Sequence, residues 1–269
     1  MCKEGTVRRW SGGKERIRKS IFNSQFSILN SQFITSFVQS VPLVFGKEGR
    51  SIHKQRNEIK VFDVNGVPVN VKQYKVPHFP NRVVYTFFRP PKAERAYRYA
   101  LKLLSLGIKT PEPIAYILTK KNGLLHVSYY VSEQVAYGHT MYELGRGGIS
   151  GREPILKAFA EYTAGLHESG IYHRDYSPGN ILFQYENGET RFCLIDINRM
   201  RFGRVSVKKG CANFARLWGQ EPMFRLLAQH YAAARRADPE KCIRWIMYYH
   251  ARFWKVWARK HGMPFDREV

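Results

Sequence analysis

The sequence predicts an α+β protein with two lobes, a β-rich N-lobe followed by a helical C-lobe. Three observations lead there. Three Asn-Gly pairs each stand between two strand-like runs. Two stretches of helix-forming composition alternate with those runs. From about Asn213 onward the chain reads as helix throughout.

Asn-Gly is the strongest short hairpin signal, because a type I′ turn needs positive φ at both central positions. Asn65-Gly66 separates Glu58–Val64 from Val67–Tyr74. Asn122-Gly123 separates Ile114–Leu118 from Leu124–Val131, and Asn187-Gly188 separates Ile181–Tyr185 from Thr190–Ile195. A first helix is expected over Ala93–Leu106, which is rich in Ala, Leu, Arg and Lys. Pro90-Pro91 stands before it and Gly107 after it, the places where each residue favours a helix end. Pro111 and Pro113 keep the next connection extended. A polar connector, Glu133–Gly138, leads to a second helix over Glu153–Ser169. There Leu156, Phe159, Tyr162, Thr163 and Leu166 share one face. The expected domains are a weakly structured extension (1–43), the N-lobe (44–135) and the C-lobe (136–269).

The 269 residues suffice for two lobes around one cleft. The formal net charge is +23, so an anionic partner is expected: nucleic acid, phospholipid headgroups or a polyanionic glycolipid. The four cysteines show no CxxC spacing, so neither a zinc site nor a redox pair is expected. Cys193, in an apolar run, reads as a core thiol, and a reducing compartment fits. No run of about 18–20 apolar residues occurs, so no transmembrane helix is expected. The segment Ile21–Phe45 is too polar for the core of a signal peptide, and it holds a short near-repeat, Asn23–Phe26 and Asn30–Phe33.

The chemistry concentrates in the loop between the second helix and the third hairpin. It reads His173-Arg174-Asp175-Tyr176-Ser177-Pro178-Gly179-Asn180. His-Arg-Asp, four residues, then Asn is the catalytic-loop pattern of kinases. Phosphoryl transfer needs a carboxylate beside the attacking hydroxyl and an oxygen ligand for Mg²⁺. Asp175 is the candidate base and Asn180 a candidate metal ligand, while His173 and Arg174 hold the loop's shape. The apolar run Phe192–Ile195 ends in Asp196, the candidate second metal ligand. The fold is therefore expected to be protein-kinase-like, with ATP and Mg²⁺ as cofactors. Lys72 ends the strand-like run from Val69 and is the candidate ATP-phosphate contact; Lys75 competes for that role. Glu94, the only acid in the first helix, either serves the nucleotide site or pairs with Arg98. No glycine-rich loop precedes the first hairpin, and Lys54 and Arg56 stand where phosphates would be covered.

Four segments resemble the bacterial lipopolysaccharide kinases, which include the kinases of Kdo and of inner-core heptose. They are Arg56–Lys60, Thr110–Pro113, Tyr172–Leu182 and Ile195–Gly203, and the resemblance covers roughly residues 45–260. It implies ATP- and Mg²⁺-dependent phosphorylation of a sugar hydroxyl in the lipid A–core region, at the cytoplasmic face of the inner membrane. Asp175 would be the base, Asn180 and Asp196 the metal ligands and Lys72 the ATP contact. Asp196 is followed by Ile197-Asn198 rather than Phe-Gly, and no Ala-Pro-Glu motif follows, which argues against peptide recognition of the protein-kinase kind.

From Arg199 to Lys260 there are 15 Lys/Arg against 3 Asp/Glu, which suits an anionic acceptor. Arg199, Arg201 and Arg204 are candidate contacts to its phosphates or carboxylates. The C-terminal aromatic and basic residues from Ile243 to Lys260 read as a core helix with a basic outer face, or as a helix lying on anionic lipid. The expected partner is an anionic glycolipid, with possible peripheral contact to the membrane. The alternatives are a protein Ser/Thr kinase, a small-molecule phosphotransferase and a non-catalytic pseudokinase-like binding protein. A nucleic-acid binder would explain the charge and leave the loop unexplained, so no nucleic acid is expected.

Overall fold

The computed structural model describes residues 15–22 and 31–262. The chain divides into two compact units, Met1–Val135 and Ala136–Val269.

The first unit is built on six antiparallel strands: β1 (Glu15–Phe22), β2 (Arg50–Lys54), β3 (Glu58–Val64), β4 (Val67–Tyr74), β5 (Pro113–Lys121) and β6 (Leu124–Glu133). Their order is β1-β5-β6-β4-β3-β2. Two of the Asn-Gly pairs close hairpins here, with φ of 54° and 78° at Asn65 and Gly66 and 53° and 76° at Asn122 and Gly123. Those left-handed values are what the type I′ turn demands.

Three helices accompany the sheet: α1 (Ser31–Val44), α2 (Phe79–Phe87) and α3 (Lys92–Ser105). Side chains alternate across a strand, so each strand feeds two layers. Val69, Val71, Ala115, Ile117 and Val131 pack with Ile34, Val38 and Val41 of α1 and with Phe45. Tyr74, Tyr116, Leu118 and Tyr130 pack with Ala93, Ala96 and Tyr97 of α3. Because both faces are covered, β5 is buried from Pro113 to Thr119 without a polar alternation.

The N-terminal reading needs correction where residues are described. β1 and α1 both lie within the stretch expected to be weakly structured. β1 pairs with β5, and α1 supplies core residues to the sheet. The reason is the spacing of Ile34, Val38 and Val41, which puts three apolar side chains on one helical face despite polar neighbours. The near-repeat and the rest of 1–43 lie outside the described residues, in whole or in part. Val38→Ala is expected to cost about 2 kcal/mol, as a truncation in a filled core does. Chemical denaturation measures it, and an unchanged midpoint would mean that α1 contributes nothing to this core.

The second unit contains β7 (His139–Thr140), α4 (Glu153–Glu168), β8 (Ile171–Tyr172), β9 (Ile181–Glu186), β10 (Glu189–Leu194), β11 (Arg201–Phe202), α5 (Val207–Cys211), α6 (Glu221–Ala234) and α7 (Pro239–His261). β10, β9 and β7 form a small sheet, and β11 pairs with β8. The third Asn-Gly pair closes the β9–β10 hairpin, with φ of 51° and 82°. Phe159 of α4 stacks on Tyr176, 5.7 Å between centroids, and meets Phe214 edge-on at 6.2 Å. Tyr176 is fully buried and its hydroxyl shares a 2.9 Å hydrogen bond with Thr163. A large aromatic inside the loop thus fastens the loop to the helical core. Cys193, Cys211 and Cys242 are buried free thiols, the last two beside each other. Among the described residues no helix is long and apolar enough to cross a membrane.

Candidate active site

The loop 173–180 is shaped by its own backbone and by one histidine. His173 is 1% exposed. Its Nδ1 accepts from the Asp175 N–H at 3.1 Å, so its Nε2 carries the proton and donates to the Ile195 carbonyl, also at 3.1 Å. One imidazole therefore ties the loop to the end of β10. Burial pulls its pKa down and keeps it neutral, the state both bonds require. The Ser177 N–H donates to the Asp175 carbonyl at 2.8 Å, and the Asn180 N–H to the Ser177 carbonyl at 2.9 Å.

Asn180 sits where the loop becomes β9. Its Nδ2 donates to the Asp175 carbonyl at 2.8 Å, so its amide oxygen is the atom left to act as a ligand. The Ile195 N–H donates to the Asn180 carbonyl at 3.0 Å, which carries the hairpin pairing one step beyond Ile181 and Leu194. Asn180 and Asp196 thus flank the open end of one hairpin. Asp196 has φ 52° and ψ 44°, a left-handed conformation that turns the chain sharply off the strand. Asp tolerates that region better than most residues, at a cost of about 1 kcal/mol. Next to it Ile197 and Asn198 are buried, and the Asn198 amide donates to Asp196 Oδ1 at 2.5 Å.

The Asp175 carboxylate is gripped by two guanidiniums. Arg216 Nη1 lies 2.9 Å from Oδ1 and Arg199 Nη1 lies 3.4 Å from Oδ2. Arg216 also reaches the Arg174 carbonyl at 3.4 Å and lies over the Phe253 ring of α7, 5.2 Å from its centroid. Arg201 and Arg204, the other arginines singled out in the sequence, are exposed; Arg201 pairs through its backbone with Tyr172 in β11–β8.

Beneath the loop runs a directional chain of buried hydrogen bonds. Arg235 donates to the Tyr231 hydroxyl at 2.9 Å, and that hydroxyl donates to His167 Nδ1 at 2.9 Å. His167 Nε2 donates to Asn213 Oδ1 at 3.0 Å, and Asn213 Nδ2 donates to the His173 carbonyl at 2.9 Å. Every donor meets an acceptor only if His167 is neutral. Burial lowers its pKa from 6.5 to about 4, and burial does the same for His250 in α7. The unfolded chain takes up these protons near pH 6.5, and the folded one only near pH 4. Stability is therefore full above about pH 6.5 and declines as pH falls toward 4, by on the order of 3 kcal/mol per histidine. Urea midpoints at pH 7, 5.5 and 4.5 are expected to fall in that order; a flat series would contradict the neutral wire.

In the first unit, Lys72 lies on β4 and shares a sheet face with Tyr74, over whose ring its Nζ sits 5.4 Å from the centroid. That is the face packed against α3. Lys75 is exposed past the strand's end. Glu94, in the first turn of α3, is ion-paired with Arg98 at 2.7 Å. Lys54 ends the edge strand β2, 3.9 Å from Glu58, and Arg56 is exposed in the following turn.

Sequence reasoning missed Arg216, Asn198 and the Tyr231–His167–Asn213 chain. No local pattern marks them. Arg216 is one of fifteen cations in its stretch, and only the fold brings it to Asp175.

A sheet-rich unit followed by a helical unit that carries this loop and hairpin defines a kinase-like phosphotransferase. The match to known sequences narrows the class. A sequence model of the lipopolysaccharide kinase (Kdo/WaaP) family covers residues 58–227, more than half of the chain, and the chain belongs to that family. Two solved structures share its fold. WaaP in complex with acyl carrier protein matches with a TM-score of 0.56 at 14% identity, over 89% of this chain and 99% of that one. A microcompartment-associated aminopropanol kinase matches with a TM-score of 0.50 at 12% identity, over 87% and 91%. At these identities the likeness is one of fold. No curated protein matches the sequence.

Proposed function

We propose that the chain transfers the terminal phosphoryl group of ATP, with Mg²⁺, to a sugar hydroxyl (Kdo or heptose) of the lipid A–core region of lipopolysaccharide. The observation that carries this is the carboxylate of Asp175 held between Arg199 and Arg216 in a loop fixed by His173 and Tyr176. Asp175 orients the acceptor hydroxyl and takes its proton as the new O–P bond forms. The two arginines fix where its oxygens lie. Placement suffices where the transition state is loose and its proton moves late. The same guanidiniums stand beside the charge that develops on the phosphoryl oxygens.

The donor set fits a hard divalent cation. Asn180 offers an amide oxygen and Asp196 a carboxylate, and Mg²⁺ is commonly held by one or two protein oxygens plus phosphates. Among the described residues no group of three or more His, Cys, Asp or Glu competes as a closed metal cage. Such a cation neutralises phosphate charge when bound. Lys72 is the proposed ATP-phosphate contact, with Glu94, Lys54 and Arg56 as further nucleotide residues. Glu94 would have to leave Arg98 to reach Lys72. Arg199, Arg201 and Arg204 are the proposed contacts to the anionic acceptor.

The acceptor places the chain at the inner face of the cytoplasmic membrane as a peripheral protein, consistent with its charge of +23. A solved structure holds WaaP in complex with acyl carrier protein, which supports a carrier-protein partner here as well. The test is transfer of label from ATP in the presence of Mg²⁺ to Kdo-bearing lipid A precursor, with Asp175→Asn as control. Label on the lipid is expected. Label on protein or on a soluble sugar instead would overturn the acceptor.

A further inference from the structure

Helix α2 is apolar on its outer face as well as its inner one. On the inner face Tyr85 packs against the core of Tyr74, Tyr116 and Tyr130, and Arg82 donates from Nε to the Leu125 carbonyl at 2.8 Å and from Nη2 to the Lys121 carbonyl at 3.1 Å. Thr86 Oγ1 accepts from the Leu125 N–H at 2.8 Å. These bonds clamp the helix to the tip of the β5–β6 hairpin. Other apolar residues point outward. Phe87 is 66% exposed and Phe88, just past the helix, 79%, with Val84 exposed beside them; no residue of α2 is buried. The spacing i, i+3, i+4 puts these three on one face. An ordinary surface helix leaves its outer face polar.

The rim of this face is cationic. Lys120 Nζ lies over the Phe87 ring at 6.0 Å, Lys121 is exposed next to it, and Arg89 is exposed directly after Phe88. Arg95, buried in α3, lies over the Tyr85 ring, 6.0 Å from its centroid; among the described residues it has no carboxylate partner, and its Nε makes no hydrogen bond. Burial first, and Arg89 second, lower its pKa. No acidic residue occurs from Phe79 to Lys92 or from Thr119 to Val127, and Glu15 of β1 stands opposite Lys121 in the sheet. The face therefore joins exposed aromatic surface to a mainly basic surround.

We propose that this face docks the protein on an anionic lipid bilayer, with Val84, Phe87 and Phe88 among the acyl chains and Arg89, Lys120 and Lys121 at the headgroup phosphates. Aromatic and aliphatic side chains flanked by Lys and Arg are the composition that interfacial helices use. A second copy of the chain would set these cations against identical ones, whereas a bilayer supplies apolar depth and negative charge together. The use of the surface rests on the reading of the acceptor as a membrane glycolipid; the binding itself does not.

The test uses the full chain with phosphatidylcholine vesicles, with and without phosphatidylglycerol. Wild type is expected to sediment only with the anionic vesicles. Phe87→Ser/Phe88→Ser is expected to lower the partition coefficient at least about tenfold, with circular dichroism and transfer to detergent-dispersed acceptor unchanged. Added emission from Phe88→Trp is expected to shift to the blue on anionic vesicles, which attraction by net charge alone would not produce. Undiminished binding of the double variant, or no shift at position 88, overturns the proposal. So does a dimer, or capture of an acidic carrier protein, that the double variant abolishes without any effect on vesicle binding. Vesicle binding as expected with no transfer to any lipid would defeat the proposed acceptor and leave the docking face standing.

Discussion

Asp175→Asn is expected to lower kcat for phosphoryl transfer by about 10²–10⁴, with the KM for ATP within about twofold of wild type. The substitution keeps the shape of the side chain and removes its charge and basicity. The loop should survive it, because the contacts that shape the loop run through the Asp175 backbone and not its carboxylate. The Asp175 N–H bonds His173, and its carbonyl accepts from Ser177 and Asn180. What is lost is the acceptor for the hydroxyl proton and the counter-charge to Arg216 and Arg199. Single-turnover rates, with unchanged circular dichroism, separate this from misfolding. A kcat within tenfold of wild type would remove Asp175 from the role of base.

Gly210→Ala is expected to destabilise the second unit by roughly 3 kcal/mol or more, lowering Tm by about 6–12 °C. Gly210 lies in α5, against the hydrogen-bonded chain beneath the loop. A Cβ there would collide with the Tyr231 hydroxyl and stand 2.7 Å from His167 Nδ1. Tyr231 is fully buried and His167 nearly so, and neither can retreat without opening the core. Displacing Tyr231 also leaves His167 Nδ1 buried without its donor. The strain passes through Asn213 to the His173 carbonyl, so kcat should fall along with stability. Tyr231→Phe in the same chain removes the colliding oxygen and is expected to recover about half of the lost stability, as coupled neighbours do. Full additivity of the two substitutions would show that the clash lies elsewhere.

Much of the fold was legible because its signals are local. The three Asn-Gly pairs needed only two residues each to declare a turn, and all six residues have the left-handed φ expected. Helices α3 and α4 begin and end within a residue of the bounds expected for them. By contrast, α2 escaped notice because Val83, Val84 and Thr86 are β-branched and Val84, Phe87 and Phe88 look away from the core. β1 and α1 escaped because their worth lies in partners far along the chain, β5 for one and the β3–β4–β6 face for the other. The candidate site shows the same divide. His173, Asp175 and Asn180 lie within eight consecutive positions, whereas Arg216 and the Tyr231–His167–Asn213 chain meet the loop only through tertiary packing.

The turn after Asp196 has a consequence for control. In enzymes that are switched on and off at this position, an aromatic side chain swings between two seats and carries the neighbouring aspartate with it. Here the next residue, Ile197, is sealed in the core, and Asn198 holds the Asp196 carboxylate from a buried position of its own. Moving that aspartate would mean exposing Ile197 and breaking a buried amide–carboxylate bond. The position of that aspartate is therefore set by the packing of its two neighbours. A shift of its carboxylate requires part of the core to unpack and is not a matter of one side chain rotating.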